Sequence, residues 1–394
     1  MNWLSTRAAR SLLLVVLACA ALFSVVRGAQ NGIHSSQDFQ WSGAQLIDRH
    51  IDPWADAVAG DPLHLLTLTQ DPNYLPLLYV LFAPLGMLDR IPAQIVWVIC
   101  NIAFAILSGF IAARFYGFGR YGIAASICAL LAATPTRMTI GNGQQGLFIL
   151  FLWSLALLAP HITNARAAIA GTSYFKYNFA PPIVIYLWLR SGIRAILVSL
   201  LPTLAGLIII WLWFTGGRDL HMLHWFAVAP FKLARRGYFP FGGGSNLMDV
   251  LEVPIYLLHP SRIVFESSTF AAALIVCVAV LYRAIHSRAS VQNHMALLGL
   301  LSFSLFKHHT YDGVVLLFTL CYLARLRQHR VAQVGLVLLG FIWYASRFVD
   351  QLFPSTLSWS FMPECAMLLT IAWLIFRLQP AEAAIFPPAP ETTP

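Results

Sequence analysis

Apolar runs separated by short polar connections recur along almost the whole chain, and several approach the roughly 20 residues that cross a bilayer as a helix. The runs at residues 91–113, 195–214 and 263–282 are the longest, and shorter ones at 11–26, 121–133, 147–160, 295–306, 313–323, 331–345 and 362–376 alternate with them. Residues 167–174 and 181–189 read as a helix pair meeting at a polar elbow, Phe175-Lys176-Tyr177-Asn178. Residues 74–88 are apolar but short and carry Pro76 and Pro84, so this segment either crosses, re-enters or lies along the interface. The pattern predicts an all-α polytopic membrane protein of about twelve transmembrane helices, with a juxtamembrane loop region on its outer face. Residues 1–379 form one membrane domain on this reading, and the Pro- and Ala-rich tail at 380–394 is expected to be disordered.

Composition agrees with the pattern. The chain is 59% hydrophobic and 10% charged, with a mean hydropathy of +0.71, where a soluble domain carries about 25% charged residues. The net charge of +9 comes mostly from arginine, and its placement speaks for topology: short loops rich in Arg stay in the cytoplasm. With the N-terminus inside, every inner connection carries Arg and none carries Asp or Glu before the tail. The three lysines, Lys176, Lys232 and Lys307, then all fall outside. No basic stripe interleaved with aromatics suggests nucleic acid. The six cysteines sit in or beside apolar runs without a C-x-x-C pair, which leaves little for disulfide or zinc readings. Arg7 and Arg10 before the first run imitate a cleavable signal peptide, but the many runs that follow fit an uncleaved anchor. No internal repeat is visible, which disfavours an inverted-repeat transporter.

The candidate chemistry lies on the outer side. Residues 28–90 form a first outer loop region, and seven of the sixteen acids fall between Asp38 and Asp89. Asp38, flanked by Phe39 and Trp41, suits a carboxylate that takes a proton from a hydroxyl nucleophile, although a helix cap or a solvated loop acid explains it equally. Gly141-Asn142-Gly143-Gln144-Gln145-Gly146, within an outer turn at 134–146, reads as a flexible polar turn whose amides Gln144 and Gln145 could meet sugar hydroxyls. Lys176 stands inside an apolar helix pair, where an ionisable group lines a polar cavity or snorkels to the interface; a phosphate is its natural partner. Lys307-His308-His309-Thr310-Tyr311-Asp312 breaks an apolar hairpin at its outer tip. Adjacent histidines point apart and lack the spacing of shared ligands, so binding a leaving phosphate or a sugar is a better use than binding a metal. A second outer loop at 215–260 joins Lys232, Arg235, Arg236, aromatics and a glycine run, a combination fit to cover a lipid phosphate or simply to connect two spans.

Taken together and in order, these residues resemble the GT-C class of membrane glycosyltransferases, most closely the polyprenyl-phosphate-mannose-dependent α-mannosyltransferases and their bacterial relatives. Asp38-Phe39 matches that branch's Asp-Phe early in the first outer loop, and Tyr74-Leu75-Pro76 through Ala83-Pro84-Leu85 matches its aromatic-Pro-Pro and Ala-Pro-Leu segment. Gly141 to Gly146 matches Gly-x-Gly-Gln-Asn-Gly, Lys176 matches a Lys-Pro elbow, and Tyr311-Asp312 matches a Tyr-Asp near the end. Leu75, Gln145 and Tyr177 depart from the pattern without removing an ionisable group.

The resemblance implies transfer of a sugar, mannose or another hexose, from a polyprenyl-phosphate carrier to a hydroxyl of a lipid or glycan acceptor. It implies no tightly bound cofactor, leaves a divalent ion open, and sets the enzyme among the lipids of a bacterial inner membrane with its site facing the periplasm or exterior. Asp38 would be the general base of an inverting attack, and Lys176 with His308 or His309 would stabilise the departing phosphate. Tyr74, Gln144, Gln145, Arg235, Arg236, Lys307, Tyr311 and Asp312 would bind substrate. The competing readings are a lipid-linked saccharide flippase or small-molecule transporter, and a scaffold subunit. A transport pathway should also carry ionisable groups deep in several spans, and the inner connections show arginine alone.

Overall fold

The computed structural model describes residues 7–36, 38–62, 64–67, 71–236, 255, 257–258, 261–287, 289–306, 308–344, 362–382 and 385–386. Among these no β-strand forms. The helices are α1 (Arg7–His34), α2 (Trp41–Asp48), α3 (Pro53–Ala59), α4 (Pro76–Gly86), α5 (Arg90–Phe115), α6 (Arg120–Ala132), α7 (Thr134–Asn142) and α8 (Gly146–Leu157). They continue as α9 (Asn164–Thr172), α10 (Ala180–Thr215), α11 (Leu220–Arg236), α12 (Arg262–His286), α13 (Val291–Leu305), α14 (Leu317–Arg325), α15 (Arg330–Tyr344) and α16 (Met362–Glu382).

Among the described residues, five helical stretches are long and apolar enough to cross a membrane: Ala8–His34, Arg90–Phe115, Tyr177–Thr215, Arg262–His286 and Cys365–Glu382. Counting α6 and α7, bent by 56° at their junction, as one broken span gives six, against the dozen crossings expected from the sequence. Most of the difference lies in short helices. At about 1.5 Å per residue, α4 reaches roughly 16 Å, about half the hydrocarbon core, so residues 74–88 do not cross unaided. The opposite case is α10, whose 36 residues would extend roughly 54 Å as one rod. It is broken at Gly192, which adopts φ 72°, a conformation other residues rarely take, and the break restores the two separate segments that the sequence suggests.

The polar connections are more structured than their composition indicates. Residues 134–146, read as an outer turn, are helical over α7, with Pro135 in the first turn, where its missing N–H costs nothing. The loop at 215–260 begins as the amphipathic α11, which buries Phe226, Ala229 and Leu233. Asp52 caps α3 by accepting from the N–H groups of Trp54 and Ala55, and its second oxygen accepts Trp225 Nε1 at 2.7 Å, tying α3 to α11. The tail, expected to be disordered from residue 380, is ordered through Glu382. Its buried carboxylate accepts from Ser290 N at 2.8 Å and from the Tyr322 hydroxyl, and Phe386 stacks on Tyr322.

Packing separates two ends. α1 lies along α6 and α7, α5 along α6 and α8, and α4 against α2 and α10. Arginine-bearing connections meet at one end: Tyr116 donates to Gln292 O at 3.0 Å, Arg190 to Pro160 O at 2.8 Å, and Gly117 approaches Arg325. The polar groups described next gather at the other.

Candidate active site

Five distant stretches converge on one buried cluster, and the first is placed by the glycine-rich run. α7 ends at Asn142, whose carbonyl accepts from Asp38 N at 3.2 Å. Gly143 then turns the chain with φ 69°, and a Cβ there would lie 2.5 Å from Ser36 Oγ and 2.6 Å from Phe39 Cβ. Only glycine satisfies both the turn and the approach. Trp97 locks the elbow by donating Nε1 to Gly143 O at 2.9 Å, with its ring stacked on Phe39. The run is therefore a fixed elbow that seats Asp38, not the flexible turn its composition suggests.

Lys176 lies between two short 3₁₀ turns, Ser173–Phe175 and Tyr177–Phe179. Its Nζ sits 2.6 Å from Asp312 Oδ1 and 3.4 Å from Gln144 Oε1, and over the Tyr311 and Phe179 rings at 4.9 and 5.7 Å. Asp312 lies in the first turn of a third 3₁₀ segment, Thr310–Leu316, and its Oδ2 is 3.0 Å from His308 Nδ1. Thr139 of α7 donates to Tyr311 O at 2.9 Å, joining this segment to the glycine elbow. The Tyr74 hydroxyl stands 3.1 Å from Gln144 Oε1 and 3.5 Å from Asp38 Oδ2. Leu75 N donates to Phe175 O at 3.0 Å, which holds this tyrosine beside the lysine elbow.

Burial makes these charges matter: Asp38 is 3% exposed, Lys176 7% and Asp312 1%. Burial raises the Asp38 carboxyl to about 7, even though the Lys176 charge and a hydrogen bond from Gln40 pull the other way. Burial acts on Asp312 in the same sense, but Lys176 and His308 outweigh it and hold this carboxyl near 2. His308 is pushed down by burial and by the Lys176 charge, against the hydrogen bond and charge of Asp312. Two carboxyls of one cluster are thus held far apart in proton affinity, Asp38 near neutrality and Asp312 well below the usual carboxylate range.

Of the residues singled out in the sequence, Asp38, Tyr74, Gln144, Lys176, His308, Tyr311 and Asp312 come together. Gln145 is fully buried at the start of α8, and neither amide atom has a hydrogen-bond partner among the described residues. His309 is exposed and packs on the Tyr311 ring at 5.1 Å, so it does not share the buried cluster with His308. The side chains of Arg235 and Arg236, which close α11, and the whole of Lys307 lie outside the described residues. Gln40 and Tyr79 were not legible as site residues. Gln40 Nε2 donates to Asp38 Oδ1 at 3.0 Å, and the Tyr79 hydroxyl donates to Gln40 Oε1 at 2.7 Å. Phe179 packs on His308 with ring centroids 4.2 Å apart. Among the described residues, no three His, Cys, Asp or Glu side chains gather as a metal-binding group.

The family profile described as glycosyltransferase family 87 matches residues 73–307. That segment holds Tyr74, Gln144, Gln145 and Lys176, and the geometry alone joins Asp38, His308 and Asp312 to them. No curated protein and no solved structure matches the chain.

Proposed function

The chain belongs to glycosyltransferase family 87, a family of GT-C-type membrane glycosyltransferases, and from that membership and the site we infer that it transfers a hexose, mannose or a close relative, from a polyprenyl-phosphate carrier to an acceptor hydroxyl. The observation that carries this reading is the pairing of a near-neutral buried carboxylate, Asp38, with a buried lysine, Lys176, in one cluster. Asp38 Oδ2 takes the proton of the acceptor hydroxyl, whose oxygen attacks the anomeric carbon. The bond from that carbon to the phosphate oxygen breaks on the opposite side, so the configuration inverts. The carrier leaves as polyprenyl phosphate.

Lys176 is the cation that meets this leaving phosphate. An ammonium has three donors, and Asp312 and Gln144 take two of them; the third can reach a phosphate oxygen. Asp312 then fixes the direction of the lysine and of His308 together, accepting from both. Gln145, with its buried amide unsatisfied, suits a hydroxyl of the bound sugar. The purified protein, offered a panel of polyprenyl-phosphate sugars, is expected to release polyprenyl phosphate and glycosylate an acceptor with one of them. Movement of the intact lipid-linked sugar across a vesicle membrane without transfer would favour the carrier reading.

The arginine-bearing connections on the end opposite the site support an orientation with the site outward, facing the periplasm of a bacterial inner membrane. A cysteine at Asp48, exposed at the end of α2, is expected to react with an impermeant thiol reagent in intact cells lacking the six native cysteines. One at the exposed Ser287, beyond α12, should react only after permeabilisation. The reverse pattern would put the site on the cytoplasmic side.

A further inference from the structure

Asp38 is reached from behind by a hydrogen-bonded pair that no motif marks. Gln40 is fully buried and Tyr79 is 1% exposed. The direction of the chain is dictated by its end: an ionised carboxylate only accepts, so the amide nitrogen of Gln40 faces Asp38 and its oxygen faces away. That oxygen, buried, requires a donor, and the Tyr79 hydroxyl supplies it at 2.7 Å.

Tyr79 in turn has little freedom. The Trp54 ring meets it edge-on with centroids 5.1 Å apart. On another side Gly43 of α2 leaves only enough space for the ring, since a Cβ there would lie 2.5 Å from Tyr79 Cε1. Helices α2, α3 and α4 therefore fix the hydroxyl, the hydroxyl fixes the amide, and the amide fixes one oxygen of Asp38.

We propose that Gln40 and Tyr79 are the positioning residues of the base: they occupy Asp38 Oδ1 and turn Oδ2 toward the acceptor hydroxyl. This rests on the reading of Asp38 as the base. The pair also favours the ionised carboxylate, because its bond to Oδ1 is made best when that oxygen carries charge. The other groups that face Asp38 are Lys176 from the elbow, Asp312 from the third 3₁₀ segment and Tyr74 from the strand of chain before α4. Lys176, Asp312 and Tyr74 keep their own hydrogen bonds when the Tyr79 hydroxyl is removed. Without that hydroxyl the Gln40 oxygen lacks a donor, the amide turns over in part of the population, and the base holds its proton to higher pH.

The test uses the full-length protein and the polyprenyl-phosphate sugar transferred in the panel assay, with kcat and donor KM measured across pH. Tyr79→Phe, which keeps the ring and its packing, is expected to lower kcat by about tenfold. It should leave donor KM within about twofold and move the acidic limb upward by roughly half a pH unit or more. Gln40→Met should do the same through the second link, which guards against one variant that fails to fold. A wild-type limb in both variants, even with reduced kcat, would make the pair merely structural and overturn the proposal. Asp38→Asn in the same series separates the two layers. If it retains activity, the assignment of the base is wrong; if it is inactive while Tyr79→Phe behaves as wild type, only the positioning role is lost.

Discussion

Asp38→Asn is expected to lose on the order of 10²–10⁴ in turnover while still binding the donor, the loss typical of a missing general base. The asparagine keeps the size of the side chain, and its amide can still pair with Gln40, but it cannot take up the acceptor's proton. Donor binding survives because Lys176 keeps its bonds to Asp312 and Gln144. Burial penalises the charged form of this carboxyl more than the Lys176 charge and the Gln40 bond favour it, so the neutral amide should fold at least as well as the parent. The pH profile adds a second check. A base must be ionised to act, so wild-type kcat/KM should fall as pH drops through about 7, where burial has set this carboxyl. A limb near pH 4 would instead indicate a solvated acid. The right control is Asp48→Asn, since Asp48 is exposed. Asp52 is unsuitable, because it caps α3 and holds Trp225, and loss of that cap alone costs about 1 kcal/mol.

The parts of the site that the sequence reveals are those whose chemistry conflicts with their surroundings. A lysine in an apolar helix pair and an acid at the head of a polar loop stand out from composition alone. Gln40 and Tyr79 do not, because a glutamine in a polar stretch and a tyrosine in an apolar helix are ordinary residues of their neighbourhoods. Their role exists only once α2 and α4 pack. The same holds for the pairing of Lys176 with Asp312, which joins residues 136 positions apart. Folding also uses Glu382 in a way its Pro- and Ala-rich surroundings conceal, since the partners that bury it are supplied by the start of α13 and by α14.

Other misses had a readable signal. Thr134-Pro135 is a helix-start pattern, with Pro in the first turn, and the low hydropathy of the following residues hid a helix that is polar because it lines the site. In α11 the buried Phe226, Ala229 and Leu233 recur at i, i+3 and i+7, the stripe of an amphipathic helix. The long apolar runs of α1, α5 and α12 were legible for the converse reason: a continuous stretch of that length has no soluble alternative.

Lys176→Met is expected to do two separable things. Nζ and Asp312 Oδ1 are 2.6 Å apart, and both side chains are almost fully buried. Removing the lysine leaves the carboxylate without its cation, and breaking a buried pair from one side typically costs about 3–5 kcal/mol. Loss of activity in this variant alone would therefore prove little. Pairing it with Asp312→Asn removes the stranded charge along with its partner, and a buried pair replaced on both sides is often near neutral in stability. The double variant should recover most of the lost thermal stability, with His308 still able to bond the new amide. It should not recover donor binding, because the methionine has no charge to offer the phosphate. Donor affinity is read by titrating a polyprenyl-phosphate sugar, and stability by thermal unfolding in detergent. A double variant that is stable and binds donor like wild type would reduce Lys176 and Asp312 to a structural ion pair. A stable double variant with weakened donor binding would place the lysine at the leaving phosphate.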